Sequence, residues 1–129
     1  MLVPYEKLSN TLTKKMFKIA KASQRKREAF VIHKKGDYHN KVFNFMLNGT
    51  FMQPHLHPGK EKIEHIYVVE GEIIIFLFDE DGIIKNSNLL SKTQMIKVPA
   101  YTFHTYLIIT DQVITYETMD GVYDPKTWK

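Results

Sequence analysis

The chain has 129 residues, 43% of them hydrophobic and 25% charged, with a formal net charge of +4 and no cysteine. That length supports one core rather than two, and the composition is ordinary for a globular domain. Without cysteine, disulfides and thiolate metal sites are excluded, so any metal must be held by imidazole, carboxylate or water.

The first residues, Met1-Leu2-Val3-Pro4-Tyr5-Glu6-Lys7, lack the apolar core of a signal peptide, and the most apolar run, Ile73 to Phe78, is strand-sized. A cytoplasmic protein with no membrane partner is expected. Ser9 or Asn10 caps a helix running to about Ala22, with Leu8, Leu12, Met16 and Ile19 (or Ala20) as its apolar stripe. Lys14, Lys15, Lys18, Lys21, Arg25, Lys26 and Arg27 crowd this first quarter. No aromatic interleaving or binding motif accompanies them, so they read as a solvated face and no nucleic-acid partner is expected.

After Arg27 the texture changes to short strands. Phe30 to His33 and Lys41 to Leu47 flank a turn at Gly36-Asp37, and Gly49 to His57 follows, ending in a loop at Pro58-Gly59-Lys60. Ile63 to Val69 and Glu72 to Phe78 are joined tightly at Glu70-Gly71; Asp79-Glu80-Asp81-Gly82 is a hairpin signal leading to Ile83-Ile84. Met95 to Val98, Thr102 to Ile109 and Gln112 to Thr118 complete a series that predicts an all-β sandwich or barrel.

Side chains at i and i+2 of a strand share a face, so His55 and His57 can aim two imidazoles at one point. A carboxylate and a third imidazole from other strands complete a four-ligand set for a divalent transition metal such as Fe, Mn, Ni, Zn or Cu. His33, His39 and His65 read as packing or surface residues, although His33 ends a strand that can approach the pocket mouth.

Gly49, five residues, His55-Leu-His57, then Glu64, six residues and Gly71 resemble the first signature of the cupin superfamily. Pro99-Ala-Tyr-Thr-Phe-His104 is similar to the second, with Tyr101 in place of its glycine and Ile108 in place of its later asparagine. The superfamily pattern has a shorter loop before the glutamate, so Glu61 fits the spacing from the histidines and Glu64 fits the spacing to Gly71. Strand register favours Glu64, which shares parity with apolar Ile66 and Val68. The ligand set is then His55, His57, Glu64 and His104, with Glu61 as the competing carboxylate.

The chain also resembles the WbuC family of cupin-fold metalloproteins, through Ser23-Gln24-Arg25-Lys26-Arg27 before His33, Pro54-His55-Leu56-His57-Pro58, and Glu117-Thr-Met-Asp-Gly121-Val-Tyr123-Asp-Pro125. The resemblance implies a single-domain jelly-roll barrel over residues 29–129, with residues 1–28 a short helix and basic connection packed on it. It also implies a link to surface-polysaccharide (O-antigen) gene clusters, and the cupin resemblance more widely implies a homodimer formed by pairing barrel edges.

Three functions compete. A metal-dependent isomerase or epimerase of a sugar or sugar nucleotide would need a group to move a proton; Tyr106, two residues after His104, and Glu117, on a neighbouring strand, are candidates, each with a buried hydrogen-bonded role as its alternative. Arg27 and Lys60 are candidates to hold the small-molecule substrate, Arg27 if it is anionic. An iron-dependent dioxygenase and a non-catalytic module binding a metal or small carbohydrate are the others.

Overall fold

A computed structural model of the chain describes residues 2–123; Asp124 and Pro125 of the terminal motif lie outside the described residues. A helix, α1 (Asn10–Ala22), precedes eight strands: β1 (Arg27–Val31), β2 (His39–Leu47), β3 (Glu64–Glu70), β4 (Ile73–Phe78), β5 (Ile84–Leu90), β6 (Met95–Val98), β7 (His104–Ile108) and β8 (Gln112–Asp120). They form two antiparallel sheets, β1-β2-β8-β3-β6 and β5-β4-β7.

The alternation of each strand decides what lies between the sheets. Met46, Ile66, Val68, Val98 and Val113 of the larger sheet meet Ile73, Ile75, Leu77, Leu90, Tyr106 and Ile108 of the smaller one in a continuous core. Residues of opposite parity, Phe43, Phe45, Ile114 and Tyr116, emerge on the outer face of the larger sheet, where α1 covers them with Leu8, Leu12, Met16 and Phe17. Ser9 caps that helix by accepting the Leu12 N–H. The i, i+4 stripe runs on to Ala20, which is fully buried, and leaves Ile19 38% exposed.

Two strands depart from the pattern read in the sequence. The predicted strand Gly49 to His57 is not formed: Gly49 turns at φ +96°, and only His55 makes a β-bridge, to His104. The hairpin signal leads as expected to Ile84, but the extent of the strand it opens, β5, was not read, and six of its seven residues are exposed. It lies at a sheet edge with one pairing partner, so Lys85, Asn86, Ser87 and Asn88 have no apolar alternation to reveal them. β1 also begins earlier than predicted, at Arg27, because Arg27 pairs in register with Met46. Among the described residues no helix lies over the outer face of the smaller sheet, and Leu89 and Leu107 stand more than half exposed there. No helix among the described residues is long and apolar enough to cross a membrane.

Candidate metal centre

The cluster is assembled where the Gly49–Pro58 segment crosses the end of the smaller sheet. His55 and His104 exchange both backbone hydrogen bonds, His55 N–H to His104 O at 3.0 Å and His104 N–H to His55 O at 2.9 Å. Their rings are thereby brought to 4.4 Å between centroids, and His57 closes the triangle at 5.1 Å from His55 and 5.4 Å from His104. One ring nitrogen of each of the three lies within 4.8 Å of the others.

The turn before His104 survives the loss of its glycine. Tyr101 adopts the left-handed conformation itself, at φ +58°, and its N–H donates to the His57 carbonyl at 3.1 Å. That bond ties the loop leading to His104 directly to the second histidine.

Glu64 opens β3 and enters from the larger sheet. Its Oε1 lies 3.1 Å from His104 Nε2 and its Oε2 3.9 Å from His57 Nε2. Glu61, the competing carboxylate, instead packs its side chain near Gly59 and Gly121. Register explains the difference: Glu64 pairs with Met119 and Val98 on the inward parity, whereas Glu61 belongs to the preceding turn. His65, one residue on, points to the other side, in a hollow with Glu61 and Lys97.

Two imidazoles are oriented by the main chain. Nδ1 of His55 donates to the Gln53 carbonyl and Nδ1 of His104 to the Thr102 carbonyl, both at 2.9 Å. A carbonyl only accepts, so these bonds fix the tautomer and leave Nε2 as the ligating atom, the usual arrangement behind a metal-bound histidine. The donor set therefore fits a divalent transition metal: imidazole nitrogens and one carboxylate oxygen, converging from three segments of chain.

Electrostatics point the same way. Burial pushes His57 down to about 4 and lowers His55 as well, which keeps both neutral and ready to ligate. Burial also disfavours charge on His104 and Glu64, but the hydrogen bond and charge attraction between them prevail, raising His104 and lowering Glu64. The 3.1 Å contact between His104 Nε2 and Glu64 Oε1 thus favours a protonated imidazole beside an ionised carboxylate.

The cluster faces a cavity of about 470 Å³ whose far wall holds Tyr106, Glu117 and Asn44, with Arg25 and Arg27 among its lining residues. Glu117 Oε2 accepts from Asn44 Nδ2, from Thr115 Oγ1 at 2.8 Å and from the Tyr106 hydroxyl at 3.3 Å. Burial, reinforced by the charge of Glu64, pushes its carboxyl up to about 7 against those hydrogen bonds. Burial likewise drives Tyr106 well above the usual phenol range, so Tyr106 is a hydrogen-bond donor and not a base. Asn44 and Thr115 were not singled out from sequence. A polar Asn44 on the inward parity, interrupting the apolar run from Val42 to Leu47, was the available signal.

The other candidates separate. Arg27 is half-buried and lines the cavity, held by Nη1 donating to the Phe51 carbonyl at 2.8 Å and to Thr50 Oγ1 at 3.4 Å. Lys60 is not among the residues lining this cavity, and His33 lies in a different hollow with Tyr38 and His39.

Residues 8–90 match the family model described as Domain of unknown function (DUF6016). The chain belongs to that family. No curated protein matches the sequence. Among solved structures, KdgF from Halomonas sp. is similar at a TM-score of 0.63 and 17% identity, covering 78% of this chain and 83% of that one. An oxalate decarboxylase from Lactobacillus farciminis, in a formate complex, aligns at 0.64 and 15% identity over 78% of this chain and 30% of that chain, so this chain spans under a third of it. The Cnp3 cupin domain of Schizosaccharomyces pombe aligns at 0.59 and 16%, over 76% and 66% of the two chains. At these identities the likeness shows the fold, and this DUF6016 member is a single-domain cupin jelly-roll with a short helix on its outer face.

Proposed function

We propose that this protein is a metal-dependent enzyme acting on a small oxygen-bearing substrate, with His55, His57, Glu64 and His104 holding a divalent transition metal. One observation carries the reading: His55, His57 and Glu64 of the cluster line a cavity together with a second, separately buried carboxylate, Glu117. A bound divalent ion would supply the positive charge that holds adjacent substrate oxygens and stabilises negative charge developing between them. Glu117 takes a proton from a carbon and returns it to the neighbouring carbon, while the hydroxyl proton passes to the former carbonyl oxygen, or returns it to the opposite face of the same carbon; no atom or electron is gained or lost. Asn44, Thr115 and Tyr106 hold the Glu117 carboxylate in place through Oε2, which leaves Oε1 to receive the proton.

This chemistry corresponds to an isomerase or epimerase, and the resemblance to the WbuC family suggests a sugar or sugar nucleotide of surface-polysaccharide synthesis as its substrate. The wider cupin resemblance suggests a homodimer, which sedimentation equilibrium would measure.

The test has two parts. Metal analysis of untagged protein should show stoichiometric metal in the wild type and little in His55→Ala and His104→Ala. Equal trace metal in all three overturns the site. Loaded enzyme should then exchange a carbon-bound proton of its substrate with deuterated solvent, without consuming oxygen. Oxygen uptake by the iron form would replace this reading with a dioxygenase, and binding without exchange or uptake would replace it with a sensor.

A further inference from the structure

Arg27 carries a charge with no direct carboxylate partner among the described residues; Glu117, across the cavity, attracts it without pairing. Its guanidinium is half-buried, no carboxylate among the described residues lies within 4.0 Å of it, and its hydrogen bonds there all run through Nη1. Nε and Nη2 remain on a rigid planar fork. A second guanidinium, Arg25, lines the same cavity. Partly desolvated positive charge of this kind is costly unless an anion completes it. Anchoring by the Phe51 carbonyl, itself fixed by the chain that leads to His55, directs the fork rather than leaving it to solvent.

The charge balance of the whole cavity agrees. With a divalent ion in place, two guanidiniums and the ion outweigh Glu64 and Glu117 even when both carboxylates are ionised. A neutral sugar would leave that excess uncompensated.

We propose that the cavity is a receptor for a small hydroxycarboxylate, its carboxylate paired with Arg27 and its neighbouring hydroxyl oxygen directed to the histidine cluster. The carboxylate matches the guanidinium fork through two parallel N–H···O bonds. The hydroxyl oxygen then approaches the His55-His57-His104 group, and the rest of the carbon chain lies along the Glu117 wall. This specificity rests on the metal reading above and restricts it: the substrate is an acid rather than a neutral sugar.

Cobalt-loaded protein provides the test, because cobalt absorption reports the metal site and calorimetry reports the ligand. The probes are glycerate and glycerol, which share a three-carbon hydroxylated skeleton and differ in the carboxylate, with inorganic phosphate as a third arm. Glycerate should bind at least about tenfold more tightly than glycerol and perturb the cobalt bands. Arg27→Gln, which keeps an N–H for the Phe51 carbonyl, should lose about 10- to 100-fold in glycerate affinity with the ligand-free cobalt spectrum unchanged; Arg27→Lys should recover part of it. A wild-type protein without cobalt absorption overturns the metal reading. Normal cobalt absorption with equal binding of glycerate and glycerol, or with discrimination that persists in Arg27→Gln, overturns the hydroxycarboxylate site alone. Phosphate binding more tightly than glycerate, and in an Arg27-dependent way, overturns the choice of a carboxylate.

Discussion

Replacing Glu117 by Gln tests the inner wall of the cavity apart from the metal. In the metal-free protein the Glu117 carboxyl is pushed from 4.5 up to about 7 by burial and by Glu64. The native state therefore holds this proton more tightly than the unfolded chain does. The resulting contribution is fully present below about pH 4.5 and is lost as pH rises through about 7, where the buried group must ionise. At ~1.4 kcal/mol per unit, the shift corresponds to about 3 kcal/mol. Glutamine accepts the same hydrogen bonds and cannot ionise, so Glu117→Gln should gain stability relative to wild type across this range, by up to about 3 kcal/mol. Urea unfolding in the presence of chelator, at intervals between about pH 5 and 8, measures the difference between the two curves. A divalent ion in the cluster should flatten the wild-type slope, because its charge favours ionised Glu117. Parallel curves for wild type and variant would refute the argument that burial dominates over the three donors.

Cobalt uptake should fall as the solution is acidified below the raised His104 value, by about tenfold per pH unit while one proton is displaced per ion. His57, held down to about 4, adds no competition until much lower pH, and uptake unchanged down to about pH 5 would contradict the His104–Glu64 proton. Gly71→Ala should cost about 3 kcal/mol in urea unfolding, since φ is +85° and a Cβ there would sit 2.5 Å from the Gln112 carbonyl oxygen. At Gly82, also with positive φ but with nothing within 4 Å, the same change should cost only about 1 kcal/mol. Tyr101→Gly should leave metal content intact and change stability by less than about 1 kcal/mol, because relief of the left-handed backbone offsets the added freedom of the unfolded chain.

The helix and most strands were legible because local patterns carry them. Leu8, Leu12 and Met16 sit at helical spacing around a serine cap, β3 and β4 alternate buried with half-buried positions, and β8 is buried on both faces along most of its length. Beyond its hairpin start at Ile84, β5 was not legible, since an exposed edge strand has no face to pattern. The reason assigned to the His55–His57 pair also changed. A regular strand was expected to align them, whereas His55 is placed by its bridge to His104 and His57 by the Tyr101 N–H.

By itself, then, the sequence determined the ligand chemistry, the alternating faces and the helix stripe, because residue type and short-range periodicity are properties of neighbouring positions. Tertiary structure decided which carboxylate meets the histidines, that Tyr101 takes the conformation of a glycine, and that Asn44, Thr115 and Tyr106 converge on Glu117. Each of these depends on register between strands distant along the chain and on which groups lose their water together, and no local pattern encodes either.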